Sequence, residues 1–426
     1  MIPAFLGIDI GTSGIRGCCI DENGIELASI SVSLPSVISD AGKREQAPEI
    51  WWQTTKEIIG SITSSLNNTE IKAIAIDGTS GTVLLTDADG IPLSPALMYN
   101  DQRCTAEAGQ IAHIAPADSA SHGASAGLAK LLHLSRQFPN ARYLCHQADW
   151  LSSNLTGNFG ISDENNCLKT GYDPVTRSWP SFIQKLGIPA TLLPKVVAPG
   201  MPTGMIQNSI ALSLGLSTSC EVIAGTTDSI AAFIATGASE VGTGVTSLGS
   251  TLSLKMITAK PVFSRGDGIY SHRLNDAWLV GGASNSGGHV LLKYFTQQQI
   301  DKLSSSLDAG KATGLDYYPL PEKGERFPIN DADMESCITP KPDDDLTFFQ
   351  ALLEGITHIE KTGYEKLQAL STTGLSKIIT SGGGSTNTGW TKIRHNIIGV
   401  PVSQSEHAEA SYGSALLARQ GYRKKQ

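Results

Sequence analysis

The stretch Ala4-Phe5-Leu6-Gly7-Ile8-Asp9-Ile10-Gly11-Thr12-Ser13-Gly14, running on into Ile15 to Ile20, decides the fold. An apolar strand over Ala4 to Ile8 ends beside a carboxylate, turns through small residues, and is followed by a second apolar strand. Glu22-Asn23-Gly24 is the next turn signal, and a third strand runs from Ile25 to Leu34. Such a meander needs a helix to cover it. The spacing predicts one over Pro48 to Leu66, with proline in the first turn and Trp51, Ile58, Ile59, Ile62 and Leu66 on one face. The apolar run Ile71 to Ile76 then reads as a central strand that delivers Asp77-Gly78-Thr79-Ser80-Gly81 at its carboxyl end. Strands and covering helices in alternation make this an α/β chain.

The rhythm restarts near Ser239. Val245 to Lys255 and Ala277 to Val280 read as strands and glycine turns again, so the layout looks duplicated. A helix is predicted over Leu346 to Leu370, a strand over Lys377 to Thr380, the turn Ser381-Gly382-Gly383-Gly384-Ser385, and a helix through Trp390 to Ile398. At 426 residues the chain exceeds what one core sustains. We expect lobes at 1–236 and 237–408, joined by a short connection, and a last helix at about 409–426 that packs back on the first lobe.

The bulk numbers exclude several classes. A net charge of -8 argues against nucleic acid or an anionic membrane as partner, since both call for a basic face. The basic cluster Arg419 to Lys425 reads as a solvated helix end. Seven cysteines without a C-x-x-C pair fit a reduced cytoplasm. No signal region precedes Phe5, and no run reaches the roughly 18 apolar residues of a membrane span.

Four segments can carry chemistry. Asp9 to Gly14 sets a carboxylate at a strand end and then small residues whose N–H groups and hydroxyls can face an anion, with the carboxylate able to hold magnesium or its waters. It also reads as an ordinary turn with an Asp cap. Asp228 stands where the strand Val222-Ile223 becomes the helix Ile230-Ala231-Ala232, so it is either an N-cap or a general base. Ser247-Leu248-Gly249-Ser250-Thr251 could wrap phosphates, and Ser381 to Ser385 could receive a base and ribose, although glycine turns end many strands that bind nothing. Gly123-Ala124-Ser125-Ala126-Gly127 matches G-x-S-x-G, but with no strand before it and leucines after it, a helix entrance is the better reading. Metal-type histidine spacings, the dinucleotide fingerprint and the Walker lysine are absent.

The order of these pieces resembles the FGGY carbohydrate kinases of the actin-like ATPase superfamily. Gly7 to Ser13 resembles their first phosphate loop, and Glu45-Gln46-Ala47-Pro48-Glu49-Ile50-Trp51-Trp52 their E-Q-x-P-x-x-W-W helix start. Met98 to Arg103 is similar to W-x-D-x-R, Leu128 to Phe138 to the K-L-L-W-L helix, and Ala148-Asp149-Trp150-Leu151 with Leu155-Thr156-Gly157 to D-Y-L…L-T-G. The resemblance implies two actin-like, ribonuclease-H-like lobes with a nucleotide and sugar cleft between them. It implies ATP and Mg2+, with Asp228 as catalytic base and Asp9 on the metal side. Gly11, Thr12 and Ser13 would touch phosphates; Gly249 and Ser250 would form a second phosphate segment, and Gly383, Gly384 and Asn387 the adenosine pocket.

Departures from the pattern bear on the acceptor. Where xylulose kinases usually carry Met-His-Gly, this chain has Thr79-Ser80-Gly81, and it is shorter than typical members. Both features resemble the short xylulose-kinase-like D-ribulose kinases. The resemblance therefore implies that Asp9, Ser80 and Asp228 meet the hydroxyls of a ketopentose, with Asp101 a further contributor. The expected product is D-ribulose 5-phosphate. D-xylulose or another pentulose or polyol is the alternative acceptor, and a non-catalytic actin-like scaffold is the alternative of a different class. The oligomeric state is not readable.

Overall fold

The protein is described by a computed structural model over residues 1–40 and 42–424. The last two residues of the helix expected at 409–426, Lys425 of the basic cluster among them, lie outside the described residues. The chain folds as two compact units: Met1–Ala235 with Glu409–Gln426, and Thr236–Ala408.

In the first unit β1 (Ile2–Ile10), β2 (Gly14–Asp21) and β3 (Glu26–Ser33) form the expected meander. α1 (Pro48–Ser65) follows, then β4 (Thr69–Gly78), which lies parallel to β1. A smaller sheet of short strands intervenes, with Gly127–Gln137 as α2 and Gln147–Thr156 as α3. The G-x-S-x-G match is the entrance to α2. β5 (Pro202–Met205) and β6 (Glu221–Ile223) complete a six-stranded sheet in the order β3-β2-β1-β4-β6-β5, and Asp228–Ala235 forms α4. Every residue of β1 from Ala4 to Ile10 is buried, because both faces of the sheet are covered. Trp51, Ile58, Ile59 and Ile62 of α1 close one of them.

The second unit repeats the plan. β7 (Thr243–Leu248), β8 (Leu252–Thr258), β9 (Tyr270–Leu274) and β10 (Ala277–Ser284) are followed by α5 (Asp345–Ser371), β11 (Lys377–Ser381), α6 (Thr388–Ile398) and β12 (Val402–Gln404). Their order is β9-β10-β8-β7-β11-β12. As in the first unit, an antiparallel trio, here β10-β8-β7, is continued by two parallel strands, β11 and β12. Two α/β units of one topology are the two actin-like lobes expected from the sequence. Within this unit Arg394 and Glu360, both fully buried, pair through two bonds of 2.7 and 2.5 Å. Arg394 reaches Thr380 and Glu360 accepts from Thr246, so one buried network ties α5 and α6 to β7 and β11.

After the second unit the chain returns to the first as α7 (Ala410–Arg423). Tyr412, Ala415, Leu417 and Ala418 cover the sheet face left open by α1, packing with Phe5 and Ile223. The contact is backbone-close. A Cβ at Gly7 would lie 2.0 Å from the Ser411 carbonyl oxygen, and one at Gly413 would lie 1.8 Å from that of Ala231 in α4.

Candidate active site

Parallel pairing brings three chain-distant carboxylates to one sheet end. In the β1–β4 register Asp9 stands opposite Asp77 and Ile10 opposite Gly78; Gly78 is bridged in turn to Thr227, the residue before Asp228. Gly225 permits the approach, since a Cβ there would fall 1.8 Å from the Ile76 carbonyl oxygen. Carboxyl ends of parallel strands are where α/β sheets present ligand-binding residues.

Asp77 is wholly buried, and the Ser414 hydroxyl of α7 donates to its Oδ2 at 2.6 Å. Burial pushes its carboxyl well above the usual range, and the Asp9 charge adds to this. The Ser414 bond pulls the other way, while the adjacent Asp9 carboxyl and the Asp228 charge push up again. The other Asp77 oxygen, Oδ1, is buried without a hydrogen-bond partner. Arg16 donates to Asp9 Oδ2 at 3.2 Å. Asp228 opens α4, half-buried, and accepts from the Ser229 N–H at 2.6 Å; the helix N-terminus favours its negative charge.

The other residues expected at the site in the first unit divide. Gly11, Thr12 and Ser13 form the β1–β2 turn beside Asp9, closed by the Gly11 N–H on the Gly14 carbonyl at 2.9 Å. Ser80 follows β4, and its hydroxyl is buried without a hydrogen-bond partner. Asp101 lies deeper. It accepts from the Arg44 N–H at 2.7 Å and from the Arg103 guanidinium at 2.6 Å. Burial is the largest influence on its carboxyl and raises it, but the bonds from Arg103 and Arg44 with the Arg103 charge outweigh it and leave it below the ordinary value. Its oxygens anchor the 98–103 segment.

The second unit gathers the other set. Ser247 of β7 pairs with Ser381 of β11, so the turns after these two strands sit side by side. They line a cavity of about 540 Å³ to which Gly249, Ser250, Gly383, Gly384 and Asn387 all contribute, together with Asp301, Ser304 and Trp390. A Cβ on Gly383 would meet nothing within 4 Å, and one on Gly249 would meet only the Thr251 oxygen at 3.7 Å, so bare backbone faces the space. Asn387 caps α6 through its Oδ1 and donates to Ser304 at 2.9 Å. The volume suits a small organic ligand.

Sequence reasoning singled out neither Asp77 nor Ser414. An acidic residue closing an apolar strand was the available signal for Asp77; none marked Ser414, whose role arises only when α7 crosses β4.

A duplicated sheet plan with acidic strand ends on one unit and a glycine-lined cavity on the other is the two-lobed actin-like architecture expected of a phosphotransferase. The family models agree: residues 4–235 match the N-terminal domain of the FGGY family of carbohydrate kinases and 240–420 its C-terminal domain. The chain belongs to this family and is an ATP-dependent sugar kinase. It is similar to a xylulose kinase of Staphylococcus epidermidis, 25% identical over 98% of this chain and 87% of the relative. Among solved structures it resembles a Brucella ovis enzyme described as a xyloylose kinase, with TM-score 0.87, 24% identity and coverage of 99% and 91%. A gluconate kinase from Lactobacillus acidophilus follows at TM-score 0.86, 21% identity and coverage of 100% and 90%. The same fold thus serves different acceptors, and the fold alone does not choose one. Among the described residues no helix is long and apolar enough to cross a membrane.

Proposed function

We propose that this kinase phosphorylates the terminal hydroxyl of a ketopentose, D-ribulose in the first instance, giving D-ribulose 5-phosphate. One observation carries the reading: Asp9 stands opposite the buried Asp77 and Asp228 follows the residue bridged to Gly78, beside a Thr79-Ser80-Gly81 turn of small residues. A pentulose offers several hydroxyls, and a site rich in carboxylate oxygens accepts from them.

Asp228 takes the proton from the attacking hydroxyl, its charge favoured by the start of α4. Ser80 and Asp9 hold neighbouring hydroxyls and fix the sugar's orientation. Burial and the neighbouring carboxylates disfavour the charged form of Asp77, which limits the negative charge at this strand end. ATP supplies the γ-phosphoryl group, and Gly249 and Ser250 with Gly383, Gly384 and Asn387 hold its phosphates and adenosine. In the turn Gly11-Thr12-Ser13, which the Gly11 N–H closes, Thr12 and Ser13 offer their N–H groups and hydroxyls to the transferred phosphate, where charge stabilisation matters most. For Mg2+ the oxygen donors fit a hard cation, with Asp9 the residue that would hold it or its waters, and bound there it would neutralise phosphate charge.

D-xylulose, the C3 epimer, is the second reading, favoured by the description of the Staphylococcus relative as a xylulose kinase. A coupled ADP-release assay across D-ribulose, D-xylulose, L-ribulose, glycerol and gluconate tests both. The highest kcat/KM is expected with D-ribulose. No turnover above the sugar-free rate would overturn the kinase reading of the site in favour of a nucleotide-binding scaffold.

A further inference from the structure

Gln147, the first residue of α3, is fully buried and reaches the end of β4. Its Oε1 accepts from the Thr79 backbone N–H at 3.0 Å and from the Thr79 hydroxyl at 2.8 Å. A backbone N–H can only donate, so the amide oxygen must face Thr79 and the NH2 group must face away. The Thr79 hydroxyl is held in turn by Thr82 at 2.6 Å. Gly78 makes room for the amide, since a Cβ there would come within 3.0 Å of Oε1.

Held in this orientation, Nε2 is buried with no hydrogen-bond partner. Two hydroxyls around the same strand end share that state: Ser80 Oγ, and Thr227 Oγ1 on the residue bridged to Gly78 and adjoining Asp228. An unpaired buried donor is costly, and a cluster of such atoms beside reactive carboxylates marks groups kept for a ligand. Ser80 and Thr227 can donate or accept, but Gln147 Nε2 only donates. Asp9 and Asp228, as carboxylates, only accept.

We infer that the Gln147 amide donates to the keto oxygen of the acceptor sugar and makes the site select a ketose over the corresponding alditol. This rests on the pentulose reading above. A carbonyl oxygen has no proton to give, so among these groups it must be met by a donor. An alditol places there a hydroxyl that a carboxylate or serine serves as well.

The test compares wild type, Gln147→Glu and Gln147→Met with D-ribulose, D-xylulose and the matching pentitols, measuring kcat/KM, the KM for ATP and the unfolding midpoint. Gln147→Glu keeps an oxygen toward Thr79 and replaces the donor with an acceptor. Loss of one such bond is worth about tenfold. Both variants are therefore expected to lose about tenfold or more in ketose kcat/KM and most of the ketose-over-pentitol preference, with an unchanged KM for ATP. A merely structural role would lower the unfolding midpoint and leave that preference intact, which overturns the inference. Variants that fold and retain wild-type ketose KM overturn it as well, leaving the amide to ordered water. A wild-type enzyme that turns over no ketopentose overturns the pentulose reading and this assignment together.

Discussion

Asp77 and Ser414 stand 337 positions apart in the chain and share a buried hydrogen bond of 2.6 Å. Through it α7, which follows the whole second unit in sequence, supports the carboxylate cluster of the first. Ser414→Ala leaves a buried carboxyl oxygen without its donor, and such a loss costs about 1–3 kcal/mol. Urea unfolding of the two proteins checks this. An unchanged midpoint would show that packing of α7 at Gly7 and Gly413 alone holds the cluster.

Asp228 separates chemistry from binding. Asp228→Asn keeps the volume and the capping oxygen toward Ser229 but cannot take a proton at neutral pH. Loss of a general base typically lowers kcat by roughly 10² to 10⁴. Sugar-dependent kcat is expected to fall in that range with nucleotide affinity retained, as read by steady-state kinetics and nucleotide titration. An undiminished kcat would remove Asp228 from the role.

The second-unit cavity gives a contrast between adjacent glycines. A side chain at Gly383 enters open space, so Gly383→Leu is expected to fold normally and to raise the KM for ATP at least tenfold by occupying the cavity. At Gly384 a Cβ would lie 2.9 Å from that of Leu248 and 3.0 Å from the Trp390 ring, so Gly384→Leu is expected to destabilise instead. Overpacking of this kind typically costs about 1–3 kcal/mol. Thermal unfolding and ATP kinetics on both variants decide; a Gly383→Leu enzyme with wild-type ATP kinetics would place the nucleotide elsewhere.

Much of this architecture was legible in the sequence because its signals are local. Alternating apolar runs and turn residues located β1 to β4, and the proline with one apolar face located α1 within a residue at its end. The strand and glycine-turn rhythm read over Val245 to Lys255 is the hairpin of β7 and β8, turning at Gly249-Ser250-Thr251. The small sheet containing Val83–Thr86 and Tyr143–His146 went unread, since strands of four residues carry too little periodicity. Partners such as Ser414 and Gln147 are set by tertiary crossing, and no spacing rule reports a contact between β4 and a helix more than 300 residues away.

A last expectation concerns pH. Asp163 caps the short helix Glu164–Leu168, accepting from the Asn165 and Asn166 N–H groups at 2.8 and 3.1 Å. Burial, and after it the Asp149 charge, nevertheless hold its carboxyl up at about 7, from an ordinary value of 3.8, against the downward pull of those bonds. Between these two values the folded protein keeps a proton that the unfolded chain has released. The contribution to stability is therefore complete below the unfolded value and is lost as pH rises through about 7. Asp163→Asn stays neutral throughout and keeps an oxygen for the two N–H groups. The variant is expected to lose this decline, with a stability slope between pH 5 and 7 differing from wild type by up to about 1.4 kcal/mol per pH unit. Urea unfolding of both proteins at pH 5, 6 and 7 measures it; parallel slopes would mean that Asp163 is ionised in the fold across that range.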